Sequence, residues 1–352
     1  VRLPAIALAG LLAACAAQAQ WKTPLRGANT RPTIAEEDVR DFAGLGGKLL
    51  RITGNTRPLV DKQPPYAFNE ANLRQLAQLV DWAEKYGVRV VIDPHTTPGT
   101  ARPTTTNPND EFWKSFSWHE HLIRMWDRVA REFASRGDVI AGYDLLNEPA
   151  LPDSGAAGTP GDWNLLVSKL VKTIRAVDKQ HTIIIEPPVL RSREGRWMNR
   201  LLGFAYLAPP PDHNVVYSPH MYEPHKFTHQ GIQNNPEGVR YPGLIEGKEW
   251  NRRTMEEALQ PVADFQKKYG ATIFMGEFSA PRYLGEDANR YLRDVIEICE
   301  QHGWSWAYHA YREADVWDAE HDNFDRADRG RKTSTPRLDM LKSFWRQSAP
   351  AR

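Results

Sequence analysis

Cysteine is scarce in this chain, with Cys15 and Cys299 the 2 present among 352 residues. With Cys15 in an amino-terminal leader, Cys299 is left alone, so no internal disulfide can staple the fold and a hydrophobic core must hold it. Cys299 stands at helical spacing beside Val295, Ile296 and Ile298, which reads as core. Excess charge is missing too. The 45 Lys and Arg offset 44 Asp and Glu for a net charge of +1, and the signs are interspersed. That excludes an electrostatic track for nucleic acid or for an anionic membrane surface. No apolar run reaches the roughly 20 residues that span a bilayer. The chain also lacks a glycine-rich phosphate loop, a serine nucleophile elbow, a solenoid repeat and any low-complexity segment.

What is present begins with a leader. Arg2 precedes a small, apolar run from Pro4 to Ala17, which has the form of a signal peptide with cleavage after Ala19. The stretch Leu12-Ala13-Ala14-Cys15 also fits a lipobox, in which Cys15 would carry lipid. The expected organisation is a signal peptide over residues 1–19, of the lipoprotein type in the second reading, and one domain over 20–352. A secreted or periplasmic protein follows, or one anchored to the outer membrane if Cys15 is lipidated.

From Pro24 onward, strands alternate with helices. Apolar runs near 24–29, 48–52, 88–92, 139–146, 182–185, 215–218, 272–275 and 304–308 read as strands. Helical periods lie near 34–42, 69–86, 111–136, 163–177, 255–269, 287–301 and 338–345, several closed by glycine. Eight strands separated by helices predict an α/β fold, a single (β/α)8 TIM barrel rather than two doubly wound domains. The longest irregular stretch, 221–250, carries Tyr222, His225, Phe227, His229 and Tyr241 and reads as a cleft wall.

A barrel of this kind builds its site on the carboxyl ends of its strands. Here those ends are polar: Arg51, Asp93-Pro94-His95, Asn147-Glu148, Glu186, His220 with Tyr222, and Glu277. Two glutamates closing two buried strands suit a reaction that needs an acid and a nucleophile across a small gap. No metal and no cofactor is expected. His119 and His121 fall two positions apart on a predicted helix, where side chains diverge, and read as a solvated or loosely packed face.

The ordered set Arg51, His95, Asn147-Glu148-Pro149, His220-Met221-Tyr222 and Glu277 resembles glycoside hydrolase family 5. The resemblance runs from Arg26-Gly27-Ala28-Asn29 to the eighth strand. It implies that Glu148 is the general acid and base, and Glu277 the nucleophile, of a retaining double displacement with carboxyl groups about 5 to 5.5 Å apart. Glu148 should then have a pKa raised by burial and nearby negative charge, while Glu277 stays ionised through bonds from Arg51 and Tyr222. Asn147 would hold the sugar 2-hydroxyl, and His95 and His220 would orient groups around the cleaved sugar. Glu186 matches no site position and reads as a rim residue paired with an arginine.

The eighth strand departs from the family pattern, because His309 stands where a tryptophan platform is common. The sugar-stacking face then falls to His309, Tyr311 or Trp317. The implied protein is a monomeric endo-β-1,4-glucanase acting on β-linked polysaccharide or oligosaccharide. Mannan, xyloglucan or another β-glucan are alternatives within the family. A reading from another class is a surface carbohydrate-binding lipoprotein without turnover.

Overall fold

Residues 21–54, 57–101, 106–152, 156–190, 199–232 and 234–347 are described by the computed structural model. The expected leader, with Cys15 and its two readings, falls outside them. Eight short strands carry the fold: β1 (Arg26–Thr30), β2 (Leu49–Thr53), β3 (Arg89–Asp93), β4 (Ile140–Asp144), β5 (Ile183–Ile185), β6 (Val215–Tyr217), β7 (Thr272–Met275) and β8 (Ser305–Tyr308). Each pairs in parallel with its neighbours in the order β1-β8-β7-β6-β5-β4-β3-β2, and β1 closes on β2. The predicted (β/α)8 barrel is the observed one.

Around it stand α1 (Glu36–Leu45), α2 (Glu70–Tyr86), α3 (Phe116–Phe133), α4 (Trp163–Val177), α5 (Arg252–Tyr269), α6 (Glu286–His302) and α7 (Pro336–Trp345). The rules that form them are local. In α2 the Asn69 side chain caps the Asn72 N–H, Leu73, Leu76, Leu79, Val80 and Ala83 face inward, and Gly87 ends the helix in the left-handed region. The helix expected over 111–136 is broken in two. A 3-10 turn, Glu111–Trp113, precedes α3, whose start is fixed by Ser115 accepting from the Ser117 N–H. His119 does not lie on a loose face as expected; it is buried against Phe112 and Trp113.

The barrel interior is filled by Leu49, Val91, Ala141, Ile184, Val216, Phe274 and Ala307. Trp21, ahead of β1, joins this layer and donates its indole N–H to the Ala141 carbonyl at 2.8 Å. The larger core lies between barrel and helices and contains Cys299, Trp304 and Trp306. Two helical tryptophans also fix the barrel mouth: Trp126 donates to the Leu145 carbonyl at 2.9 Å and Trp163 to the Glu186 carbonyl at 3.0 Å. Among the described residues, no helix is long and apolar enough to cross a membrane.

The stretch 221–250 is less irregular than expected. It holds a one-turn helix, His225–Thr228, and an antiparallel hairpin, Gly243–Ile245 with Lys248–Trp250. Glu246 and Gly247 make the connection with φ of 50° and 78°, the positive pair that a two-residue primed turn requires.

Close approach explains one glycine in β1. A Cβ on Gly27 would stand 2.0 Å from the carbonyl oxygen of Leu49, its partner on β2. Gly27→Ala is therefore expected to destabilise the barrel by about 1–3 kcal/mol. Urea unfolding should show a lower midpoint with an unchanged slope. An unchanged midpoint would mean that β1 and β2 separate without cost.

Candidate active site

Arg51 leaves the end region of β2 with its side chain fully buried beneath the mouth. Its guanidinium meets six side chains. Nε donates to Asp144 at 3.0 Å; Nη1 donates to Glu277 at 2.6 Å and Asn29 at 3.0 Å. Nη2 donates to Asn147 at 2.9 Å and Glu186 at 2.8 Å, and lies 3.0 Å from Asp93. Burial works against its charge, but Asp93, Asp144, Glu277 and Glu186 outweigh that and hold its pKa well above the ordinary value. For Asp144, burial and then the field of Glu186 push the pKa well up, against the pull of Arg51.

Glu277 opens a two-residue ladder, Glu277–Phe278, that pairs in parallel with His220–Met221 above the barrel proper. A side chain at Gly276 would collide with Ser218 Oγ at 2.2 Å, so glycine lets these two strand ends meet. The ladder sets Glu277 between Arg51 on one oxygen and the Tyr222 hydroxyl, at 2.9 Å, on the other. Burial would raise its pKa, yet His220, His309, Arg51 and His95 hold it well below the ordinary range. Glu277 is thus a carboxylate.

His220 is also buried, which opposes its charge, but Glu186 and Glu277 raise its pKa well above the ordinary value. As an imidazolium it donates Nδ1–H to Glu148 Oε1 at 3.0 Å and turns Nε2 to Glu186 Oε1 at 3.3 Å. His95 lies on Asp93, with Nδ1 2.7 Å from Oδ2, and Asp93 overcomes burial to raise its pKa. Its other nitrogen is 3.8 Å from Glu277 Oε1.

Glu148 follows β4 with a φ of 44°, a left-handed conformation that is costly for a residue carrying a Cβ, here one that also precedes Pro149. Two contacts hold it there. Its N–H donates to Glu186 Oε2 at 2.8 Å, and Val189 N–H reaches the Pro149 carbonyl at 2.8 Å. Glu186 is therefore not the rim residue expected. It is 2% exposed and joins Arg51, His220 and the Glu148 backbone. The expected raised pKa of Glu148 is also overturned. Burial does push it up, but an ion pair with Arg200 and the bond from His220 bring it down to about 2.

These groups line a cavity of about 380 Å³. Of the residues singled out from sequence, His95, Asn147, Glu148, Tyr222, Glu277, His309 and Trp317 border it, while Arg51 and His220 lie just behind. His309 Nδ1 is 3.8 Å from Glu277 Oε2, and its ring stands 6.1 Å from that of Trp317. Tyr311 is excluded as a platform, because it packs on Phe42 and donates to the Asp38 carbonyl. Sequence reasoning missed Arg31, Arg200 and Glu313, which also border the cavity. Arg31 follows β1 and the strand-end rule would have found it; Arg200 carries no such signal.

Glu148, His220 and Glu277 each bring one ligand-type atom within 4.8 Å of the others. A cation does not fit among them, since His220 is protonated and the carboxylates face Arg200, Arg51 and Tyr222. One oxygen of Glu148 and one of Glu277 therefore stand within 4.8 Å of each other.

A closed parallel barrel that presents two close glutamates at its mouth defines the class of barrel glycosidases. The family model described as cellulase (glycosyl hydrolase family 5) matches residues 16–315, and the chain belongs to this family and is a glycoside hydrolase. Cellodextrinase A of Ruminococcus flavefaciens is 27% identical over 277 residues, covering 77% of this chain and 76% of that protein. Endoglucanase C of Acetivibrio thermocellus is 24% identical over 315 residues, covering 80% and 85%. A crystal structure of a hyperthermophilic endo-β-1,4-glucanase with substrate has a TM-score of 0.72 at 23% identity, over 92% of this chain and 97% of the other, a likeness of fold.

Arg51→Met should destabilise the protein by about 3–5 kcal/mol at pH 7, since it strands buried carboxylates. Those groups would then bind protons more readily folded than unfolded, so the variant should gain stability from pH 7 to pH 5. Glu277 acts with the opposite sign in the wild type: its depressed pKa contributes stability above the ordinary carboxylate range that is lost on acidification. Urea titrations at both pH values check this. A deficit that does not shrink on acidification would contradict the shared-counterion account.

Proposed function

We propose that this protein is a retaining endo-β-1,4-glucanase in which Glu277 is the nucleophile and Glu148 the general acid and base. The observation that carries the reading is the carboxylate spacing, with oxygens within 4.8 Å. Retaining pairs stand about 5–5.5 Å apart, whereas inverting pairs leave about 6.5–9.5 Å for a water. In the first step Glu277 attacks the anomeric carbon, the bond to the leaving sugar breaks, and Glu148 gives its proton to the departing oxygen. In the second, Glu148 takes a proton from water, the water oxygen attacks the same carbon, and Glu277 leaves as a carboxylate.

The neighbours divide the work. Arg51 and Tyr222 keep Glu277 charged and aimed. Asn147, itself held by Arg51, is placed for the 2-hydroxyl, whose bond strengthens as positive charge grows on the ring. His95 and His220 orient groups around the cleaved sugar, and His309 with Trp317 offers the aromatic face. The β-1,4-glucan assignment rests on the relatives named cellodextrinase and endoglucanase. We read residues 1–19 as an export leader, 20–352 as one catalytic domain, and the working protein as a monomer.

Glu148→Ala and Glu277→Ala should each lower hydrolysis of β-1,4-glucan by about a thousandfold or more. The first-formed product of the wild type should be the β-anomer by NMR, and EDTA should leave the rate unchanged. An α-anomer first would contradict the double displacement. A panel of carboxymethylcellulose, barley β-glucan, glucomannan, xyloglucan and xylan assigns the substrate; cleavage of mannan alone would overturn the glucanase assignment and leave the mechanism in place.

A further inference from the structure

The reaction asks Glu148 to hold a proton when the glycosidic bond breaks, yet in the free protein it is a carboxylate facing Arg200. Arg200 opens the 3-10 stretch Arg200–Ala205 in the connection from β5 to β6, outside the strand-end set. It borders the active-site cavity and also a narrower hollow behind Glu148, between Glu186, Val189 and Ser218. The two guanidinium groups on Glu148 and Glu277 are built differently. Arg51 is sealed and bonded on every side, whereas the Arg200 side chain is 29% exposed and, among the described residues, its ion pair is with Glu148. Part of the Arg200 side chain meets solvent; none of Arg51 does.

We infer that Arg200 is a substrate-displaced counterion: it holds Glu148 charged in the free enzyme, and entry of the leaving-group sugar moves it away, so that Glu148 takes up its proton only with substrate in place. This rests on the proposed role of Glu148 as the acid. Arg200 is a positioning residue in this scheme. It keeps its own proton throughout; the proton that Glu148 gains comes from solvent and leaves on the glycosidic oxygen.

The groups around Glu148 favour such a change. His220 faces it from the end of β6, Glu186 from β5 and Glu277 from β7. Tyr222, His225 and His229 face it from the loop after β6. Burial holds both of these loop histidines below their ordinary pKa, His229 at about 3, and holds the Tyr222 hydroxyl well above its own. These shifts favour the neutral forms of all three, so they do not replace the lost charge. Among the described residues, His220 remains hydrogen-bonded to Glu148 when Arg200 leaves, and it is shared among three carboxyl groups. A sugar would also exclude water from Glu148. Both changes favour its protonated form.

The test is the pH dependence of kcat and kcat/KM on cellotetraose and on 2,4-dinitrophenyl β-cellobioside, whose leaving group needs no proton. The ratio kcat/KM reports the free enzyme and kcat the complex. On cellotetraose, the wild-type alkaline limb of kcat should lie at least about one pH unit above that of kcat/KM. Arg200→Gln removes the group that lowers the pKa, so its kcat/KM limb should move up and close the gap, with Arg200→Lys between the two. On the dinitrophenyl substrate the kcat/KM limb should stay at the same pH in all three proteins. Coincident wild-type limbs, a reading that needs no variant, or an unmoved limb in Arg200→Gln would overturn the counterion role alone. Hydrolysis of neither substrate by the wild type would sink the glucanase reading and this role with it.

Discussion

A positive charge taken out of water survives only where negative groups surround it closely, and Arg51 is such a charge at the centre of the barrel mouth. Its six partners come from, or just beyond, the ends of β1, β2's neighbour β3, β4, β5 and β7, so one guanidinium ties five strand ends to a sixth. The position of Glu277, the aim of Asn147 and the burial of Glu186 all follow from that hub. Glu186 extends it to Glu148 through a backbone hydrogen bond and to His220 through a charged contact.

The same cluster gives the two candidate catalytic glutamates different surroundings on a small scale. Glu277 sits among fixed donors and stays a carboxylate. Glu148 sits at the end of a strained turn, against one buried cation, His220, and one partly exposed cation, Arg200. Two carboxylates within 4.8 Å repel, and protein cations on each side make the arrangement stable without a metal ion. In the proposed reaction the asymmetry between sealed and exposed guanidinium groups becomes the asymmetry between nucleophile and acid.

The barrel was legible in the sequence because its signals are local. Apolar runs of strand length alternate with amphipathic periods, and Gly87, Gly270 and Gly303 stop three helices in the left-handed conformation. The strand ends were legible for the same reason, which brought out Arg51, His95, Glu148, His220 and Glu277. What the sequence hid was pairing between distant positions. Asp144 reads as part of an apolar strand, and nothing local says that it faces Arg51, 93 positions away. Glu186 looked peripheral because its partners lie on other strands. Arg200 stands in a connection without any period, so its contact with Glu148, which inverts the expected direction of that pKa, exists only in three dimensions.

The central claim is that Glu277 forms a covalent bond to the sugar. Incubating the wild type with 2,4-dinitrophenyl 2-deoxy-2-fluoro-β-cellobioside, which slows release of a glycosyl-enzyme, and mapping the labelled peptide by mass spectrometry addresses it directly. The account predicts one fluorosugar per chain, attached at Glu277 and absent from Glu277→Ala. Turnover of natural substrate with no adduct, or an adduct on another residue, would contradict it.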